Sequence, residues 1–264
     1  MTVGITHLVC RGDGTLPEVL DKIKAAGYTG MELLFTDYLY PGVDELQMDV
    51  VRAQFEAAGI EMLSMCGAGG IRGSLATGVE ADVEEYIATT AEAARVAKYL
   101  GFDTILLVPG GVTPEHPYDL VLRRVTEGLK RLRPIADKYE VNLAVEYVWN
   151  DAFLSPLEMR AALDEADHPY IGFYMDTGNM LAFAWPEQWI RILGPHIKKV
   201  HVKNFRRRPH WDWPALLSVG DCNWPLVMAA LRDIGYDGPL ISEMSGTWEE
   251  HAENARFIQQ LIAG

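Results

Sequence analysis

The sequence predicts an α/β fold in which eight parallel strands alternate with helices and close into a (β/α)8 barrel, a single domain spanning residues 1–264. Three observations predict it. Short β-branched or apolar runs recur eight times, amphipathic segments of helical period separate them, and 264 residues suit eight strand–helix repeats better than the five or six strands of an open doubly wound sheet. No Pro-, Ser- or Gly-rich linker long enough to divide the chain interrupts the pattern.

In chain order the strands are expected at Val3–Val9, Met31–Phe35, Glu61–Cys66, Thr104–Pro109, Asn142–Tyr147, Ile171–Asp176, Lys199–Lys203 and Leu240–Glu243. The helices between them carry readable ends. In PEVLDKIKAAG, Pro17 opens the first turn and Gly27 closes the last, while DVEEYIATTAEAARVAKYLG stops at Gly101. After the third strand, GAGGIRG invites a nucleotide-loop reading, but Gly67, Gly69, Gly70 and Gly73 do not fit GxGxxG and no Walker Lys-Ser/Thr follows. A flexible loop at the barrel mouth is expected there.

Lys plus Arg number 23 against 37 Asp plus Glu, a net charge of −14 that repels nucleic-acid phosphates and anionic membranes at long range. Neither is expected as a partner. The opening MTVGITHLVCRGDG lacks a basic segment followed by a long apolar core, and no apolar stretch approaches a membrane span, so a cytoplasmic location is expected. Cys10, Cys66 and Cys222 are odd in number, widely spaced and without a CxxC pair, and are read as buried thiols.

In a barrel of this kind the last inward side chains of the strands point into the mouth at the C-terminal face. Four consecutive strands place polar residues late in apolar runs: NLAVEYV carries Glu146, GFYMDTGN carries Asp176, KKVHVKN carries His201 and PLISEMSG carries Glu243. One such residue is ordinarily a hydrogen-bonded core group, but four at matching depth point to a shared site. Three buried carboxylates beside an imidazole demand a cation, because each uncompensated buried ion costs several kcal/mol (about 3–5). Three oxygen donors and one nitrogen suit an octahedral divalent ion such as Mn²⁺ or Mg²⁺ rather than a thiolate-bound zinc.

VEYVWN, YMDTGNM, VHVKNF and VGDCNWPLVMAALRDIGYDGPLISEM resemble the metal-binding strands and the Gly-Asp-x-Asn/Asp-Trp segment of the xylose isomerase-like superfamily of TIM-barrel sugar isomerases and epimerases. The resemblance covers essentially the whole chain. DTGN, where ketose 3-epimerases acting on free sugars commonly end in histidine, is more similar to the L-ribulose/L-xylulose 5-phosphate 3-epimerase branch, which makes Asn179 a candidate substrate contact. By motif, the resemblance implies that Glu146, Asp176, His201 and Glu243 hold Mn²⁺ (or Mg²⁺ or Co²⁺). It also implies that Arg207, six residues after His201, binds substrate. The implied activity is a metal-dependent epimerisation of a ketose or ketose phosphate through an enediolate. Glu146 and Glu243, on strands separated by two others, are the opposed acid/base pair, since a single base tends to restore the starting configuration.

Arg206, Arg207 and Arg208 follow the seventh strand, where local positive charge suits a substrate phosphate or hydroxyl; a solvated loop is the plainer alternative. Lys203 shares the inward parity of His201 and is expected to reach the pocket. Glu32 in GMELLF resembles a second-strand glutamate common in the family, with substrate contact and a structural hydrogen bond both open. Trp149, Trp185, Trp211 and Trp213 fall near the expected mouth, either to pack against sugar C–H surfaces or to bury the interface of a homo-oligomer. His7 is placed in the first strand. Competing readings on the same scaffold are a lyase of the inosose dehydratase type, an endonuclease IV-like hydrolase, and a barrel that binds without catalysis. The hydrolase needs further metal ligands and a basic face that the sequence does not present.

Overall fold

A computed structural model describes residues 1–264. Eight strands, β1 (Val3–Thr6), β2 (Gly30–Leu34), β3 (Glu61–Cys66), β4 (Thr104–Leu107), β5 (Asn142–Glu146), β6 (Ile171–Asp176), β7 (Ile197–Val202) and β8 (Leu240–Ser242), pair in parallel in that order, and β8 closes on β1. The outer layer holds α1 (Leu16–Ala26), α2 (Glu45–Ala58), α3 (Glu80–Leu100), α4 (Tyr118–Tyr139), α5 (Pro156–Ala166), α7 (Pro186–Leu193), α8 (Trp224–Asp233) and α9 (Trp248–Ala263), with the short α6 (Thr177–Leu181) directly after β6. The chain is a single (β/α)8 barrel.

Local signals explain the helix ends. Pro17 lies in the first turn of α1 and Gly27 takes the left-handed conformation (φ 96°) that ends it. At the start of α9, Glu250 N–H donates to the Thr247 hydroxyl (3.3 Å) while Thr247 N–H donates to the Glu250 carboxylate (2.7 Å), so two otherwise unpaired donors are satisfied reciprocally. No helix is long and apolar enough to cross a membrane.

Two layers of apolar packing support the mouth. Between sheet and helices lie fully buried side chains such as Phe35, Phe55, Phe173 and Trp189. Inside the barrel, Leu34, Leu63, Cys66, Leu106, Ala144 and Ile241 pack with Tyr174, so the interior is a filled core rather than a channel. Cys10 and Cys66 are buried and Cys222 is half-buried; all three are free thiols.

Three expectations shift. The alternation in VGITHLV reads as strand to Val9, but β1 ends at Thr6, whose hydroxyl accepts from Leu8 N–H (3.3 Å) and opens a 3-10 turn over His7–Cys10. His7 therefore lies beyond the first strand. Lys203 and Glu243 sit one residue past β7 and β8, although Glu243 N–H still donates to Val202 O (3.2 Å). The glycine loop after β3 is built for close packing: a Cβ on Gly70 would stand 1.6 Å from the Phe35 carbonyl oxygen.

Candidate functional site

At the C-terminal end of the barrel, ligand-capable atoms of Glu146, Asp176, His201 and Glu243 all lie within 4.8 Å of one another. Sheet register sets the spacing, since Asp176 and His201 are direct partners across β6 and β7. His201 Nδ1 stands 2.8 Å from Glu243 Oε2 and 3.5 Å from Glu146 Oε1. Asp176 ends β6 and caps α6, its Oδ1 accepting Asn179 N–H at 2.6 Å. Its other oxygen, Oδ2, is buried with no hydrogen-bond partner.

The electrostatics follow from burial and crowding. Burial pushes the Glu146 carboxyl up to about 8, with Glu243 and Asp176 adding to the rise and His201 opposing it. Asp176 is pushed up by burial to about 6, with Lys203 opposing. Burial also works to raise Glu243, yet His201 and Lys203 together hold it down at about 2. Burial disfavours the imidazolium of His201, but Glu32 and Glu243 overcome it and raise the group well above its ordinary value. Even with Glu146 protonated, three carboxylates, those of Asp176, Glu243 and Glu32, face two cations, Lys203 and protonated His201; that leaves a negative excess in a largely buried site. An unpartnered Asp176 oxygen, three convergent acids and one imidazole nitrogen fit a hard divalent cation.

The other expected residues fall in three places. Lys203 reaches the cluster, its Nζ donating to Glu243 Oε1 at 2.9 Å, and lines a cavity of about 320 Å³ with Leu8, Val9, Trp213, Pro214, Glu243, Met244 and Ser245. Asn179 is buried, its Nδ2 donating to Tyr147 O (3.0 Å) and, at 3.4 Å, to Glu146 Oε1. Arg207 stands apart, its guanidinium 5.0 Å from the Trp185 ring centroid, in a second cavity shared with Arg208 and Asp221. Glu32, expected as a substrate contact or a structural hydrogen-bond partner, makes hydrogen-bond contacts inside the barrel. It is fully buried, and its Oε1 lies 2.9 Å from His201 Nε2 on the side facing away from the acidic cluster.

Some residues that shape the site carried no sequence signal. Asn204 is buried directly after Lys203; its Oδ1 accepts from Phe205 N–H (2.9 Å) and Cys222 N–H (3.0 Å), and its Nδ2 donates to Leu217 O (2.8 Å). It folds the segment after β7 back on itself, while Asp221 of the GDCNW run accepts Arg207 N–H at 2.7 Å. Three of the four mouth tryptophans cluster, Trp149 packing against Trp211 and Trp213 and against Phe183 and Phe205 at centroid distances of 5.1–6.3 Å, while Trp185 stands under Arg207.

A closed parallel barrel with its polar side chains gathered at the C-terminal face defines a TIM-barrel protein. The model of one such family, described as xylose isomerase-like TIM barrel, matches residues 20–261, and the chain belongs to that family. It is 27% identical over 211 residues to the L-ribulose-5-phosphate 3-epimerase UlaE of Salmonella paratyphi C, covering 80% of this chain and 72% of the relative. It is 26% identical over 243 residues to the protein of the same name from Escherichia coli O157:H7, covering 90% and 84%. Among solved structures it is similar to an L-ribulose 3-epimerase (TM-score 0.82, 17% identity, 99% of this chain and 94% of the other). It is also similar to the D-psicose 3-epimerase of Clostridium cellulolyticum H10 with D-tagatose (TM-score 0.79, 15% identity, 100% and 97%). At those identities the likeness concerns the fold.

Proposed function

We propose that the chain is a divalent-metal-dependent epimerase that inverts the carbon next to the carbonyl of a ketose or ketose phosphate. The observation that carries this reading is the meeting of Glu146 and Glu243, from strands separated by two others, around Asp176 and His201. Glu146, Asp176, His201 and Glu243 would hold the ion, with Mn²⁺ the best match and Mg²⁺ or Co²⁺ alternatives. When bound it supplies positive charge against an oxyanion developing on the substrate.

The chain's own residues carry the proton transfers. A carboxylate oxygen of one glutamate accepts the proton from the carbon beside the carbonyl, and the C–H electron pair moves into the carbon–carbon bond as the carbonyl oxygen takes up negative charge. The opposed glutamate then delivers a proton to the other face of that carbon. Lys203 Nζ orients Glu243 through its 2.9 Å contact, and Asn179 Nδ2 does the same for Glu146 at 3.4 Å. Leu8, Val9, Trp213 and Met244 line the cavity beside Glu243, where apolar side chains exclude water and pack against sugar C–H groups. Lys203 and Asn179 are the proposed contacts to substrate hydroxyls, and Arg207 the proposed contact to a phosphate, in line with relatives named for a ketose 5-phosphate.

Ketoses and their 5-phosphates incubated with Mn²⁺-loaded protein in D₂O test the proposal. The expected result is deuterium at the carbon next to the carbonyl of one substrate, with its epimer formed and no water lost. Absence of exchange on every ketose and ketose phosphate would refute it, and a dehydrated product would move the assignment to a lyase.

A further inference from the structure

We propose that Glu32 is a positioning residue for His201. Its carboxylate keeps the proton on Nε2, so that when an ion displaces the Nδ1 proton the Nδ1 lone pair faces Glu146, Asp176 and Glu243. The inference rests on the reading that these four side chains hold a divalent ion.

Glu32 Oε1 lies 2.9 Å from His201 Nε2. The carboxylate has no access to water, and its other oxygen accepts from Ser64 Oγ (2.8 Å) and from the Tyr174 hydroxyl. A carboxylate so supplied with donors is held as an anion, and an anion can only accept. The imidazole nitrogen facing it must therefore carry hydrogen. Tyr174 also packs on the imidazole, with ring centroids 4.5 Å apart, which blocks the ring from turning over. Nδ1 is left toward the acidic cluster, and a carboxylate accepting from Nε2–H makes it a more basic donor.

Sheet geometry supports a purpose-built contact. Glu32 on β2 and His201 on β7 are not neighbours in the sheet, and they meet across the barrel interior. The sheet has two register shifts, between Met31 and Glu32 on β2 and between Phe173 and Tyr174 on β6. The first adds Leu63 on β3 directly before Ser64 and the second adds Lys198 on β7 opposite Tyr174, so both lie beside members of this network, and such a bulge re-aims the residues next to it. Ser64 completes the set, its Oγ lying 3.0 Å from the Tyr174 hydroxyl.

The test compares Mn²⁺ affinity, measured by electron paramagnetic resonance, in wild type, Glu32→Gln and Tyr174→Phe. Glu32→Gln keeps the shape but removes the charge, and we expect its dissociation constant to rise about 10- to 100-fold. Tyr174→Phe keeps the ring on His201 and removes one donor from Glu32, and a smaller rise is expected. Nitrogen-15 spectra of histidine-labelled, Zn²⁺-loaded wild type should show His201 protonated at Nε2. A merely structural Glu32 would lower the melting temperature of the metal-free protein and leave Mn²⁺ affinity unchanged. Should Glu32→Gln fail to fold, Tyr174→Phe and the wild-type spectrum decide. Wild-type affinity in the folded variants, or a His201 proton on Nδ1 in the loaded protein, overturns the inference while leaving the metal site standing. A wild type that binds no Mn²⁺ overturns the site and the inference together.

Discussion

Lys203 Nζ lies 2.9 Å from Glu243 Oε1 and 4.7 Å from the ring centroid of Trp213, so one ammonium group joins an acid of the cluster to the aromatic wall of the cavity. Desolvation alone would strip that charge; Asp176 and Glu243 instead raise the lysine above its ordinary value. Replacing it with an isosteric apolar side chain leaves Glu243 among acids with only one of its two cations. Lys203→Met is expected to lower kcat/KM by about 100-fold and to move the acidic limb of the pH profile to higher pH, because Glu243 then ionises less readily. A pH–rate series on both proteins checks this.

The metal-free protein should lose stability as pH rises. Glu146 and Asp176 have folded pKa values raised to about 8 and about 6, so each takes up protons on folding at neutral pH. That contribution is complete below their unfolded values and is lost as pH climbs through the folded ones. His201, raised as well, acts in the same direction. Glu243, depressed to about 2, changes only at acid pH and does not oppose the trend above pH 5. Melting temperatures of chelator-treated protein should fall between pH 5 and pH 8, and the increment from added Mn²⁺ should grow over the same range. A flat metal-free profile would count against the crowding of these acids.

On the proposed function, Arg207 is the residue that would separate phosphorylated from free substrates. Its guanidinium, held over Trp185 beside Arg208, suits a charge-assisted bond to a phosphate, worth about 1.5–3 kcal/mol. Arg207→Ala is expected to raise KM for a ketose 5-phosphate roughly 10- to 100-fold and to leave KM for the free ketose within about twofold. Equal effects on both would show that the arginine serves the sugar or the loop instead.

Asn204 carries the segment beyond β7. Asn204→Ala removes the acceptor of two backbone N–H groups, at Phe205 and Cys222, each costing about 1–3 kcal/mol if left unpaired, while the Leu217 carbonyl keeps the Trp224 Nε1 donor at 2.8 Å. Partial rehydration makes a loss of about 2–3 kcal/mol the expected net, with faster hydrogen exchange at Phe205 and Cys222. Protection at those amides equal to wild type would contradict the role.

The residues of the acidic cluster were legible because each interrupts an apolar run at the same depth, and strand parity carries such a side chain inward. The closed barrel was legible from repetition and from helix ends at Pro17, Gly27 and Gly101. Glu32 was not assignable, since its partners Ser64, Tyr174 and His201 lie 32, 142 and 169 residues away and meet it only through barrel closure and two register shifts. His7 was misplaced because alternation cannot register a hydroxyl that bends the chain at Thr6. Asn204 and the Trp149 cluster depend on loop paths, which have no period to read.

The proposed chemistry needs one ion bound by four side chains, and diffraction from crystals soaked in Mn²⁺, recorded near the manganese absorption edge, tests that most directly. A single anomalous peak within bonding distance of Glu146, Asp176, His201 Nδ1 and Glu243 is the predicted result. A map with no peak there, or with manganese bound only at surface acids, would contradict it.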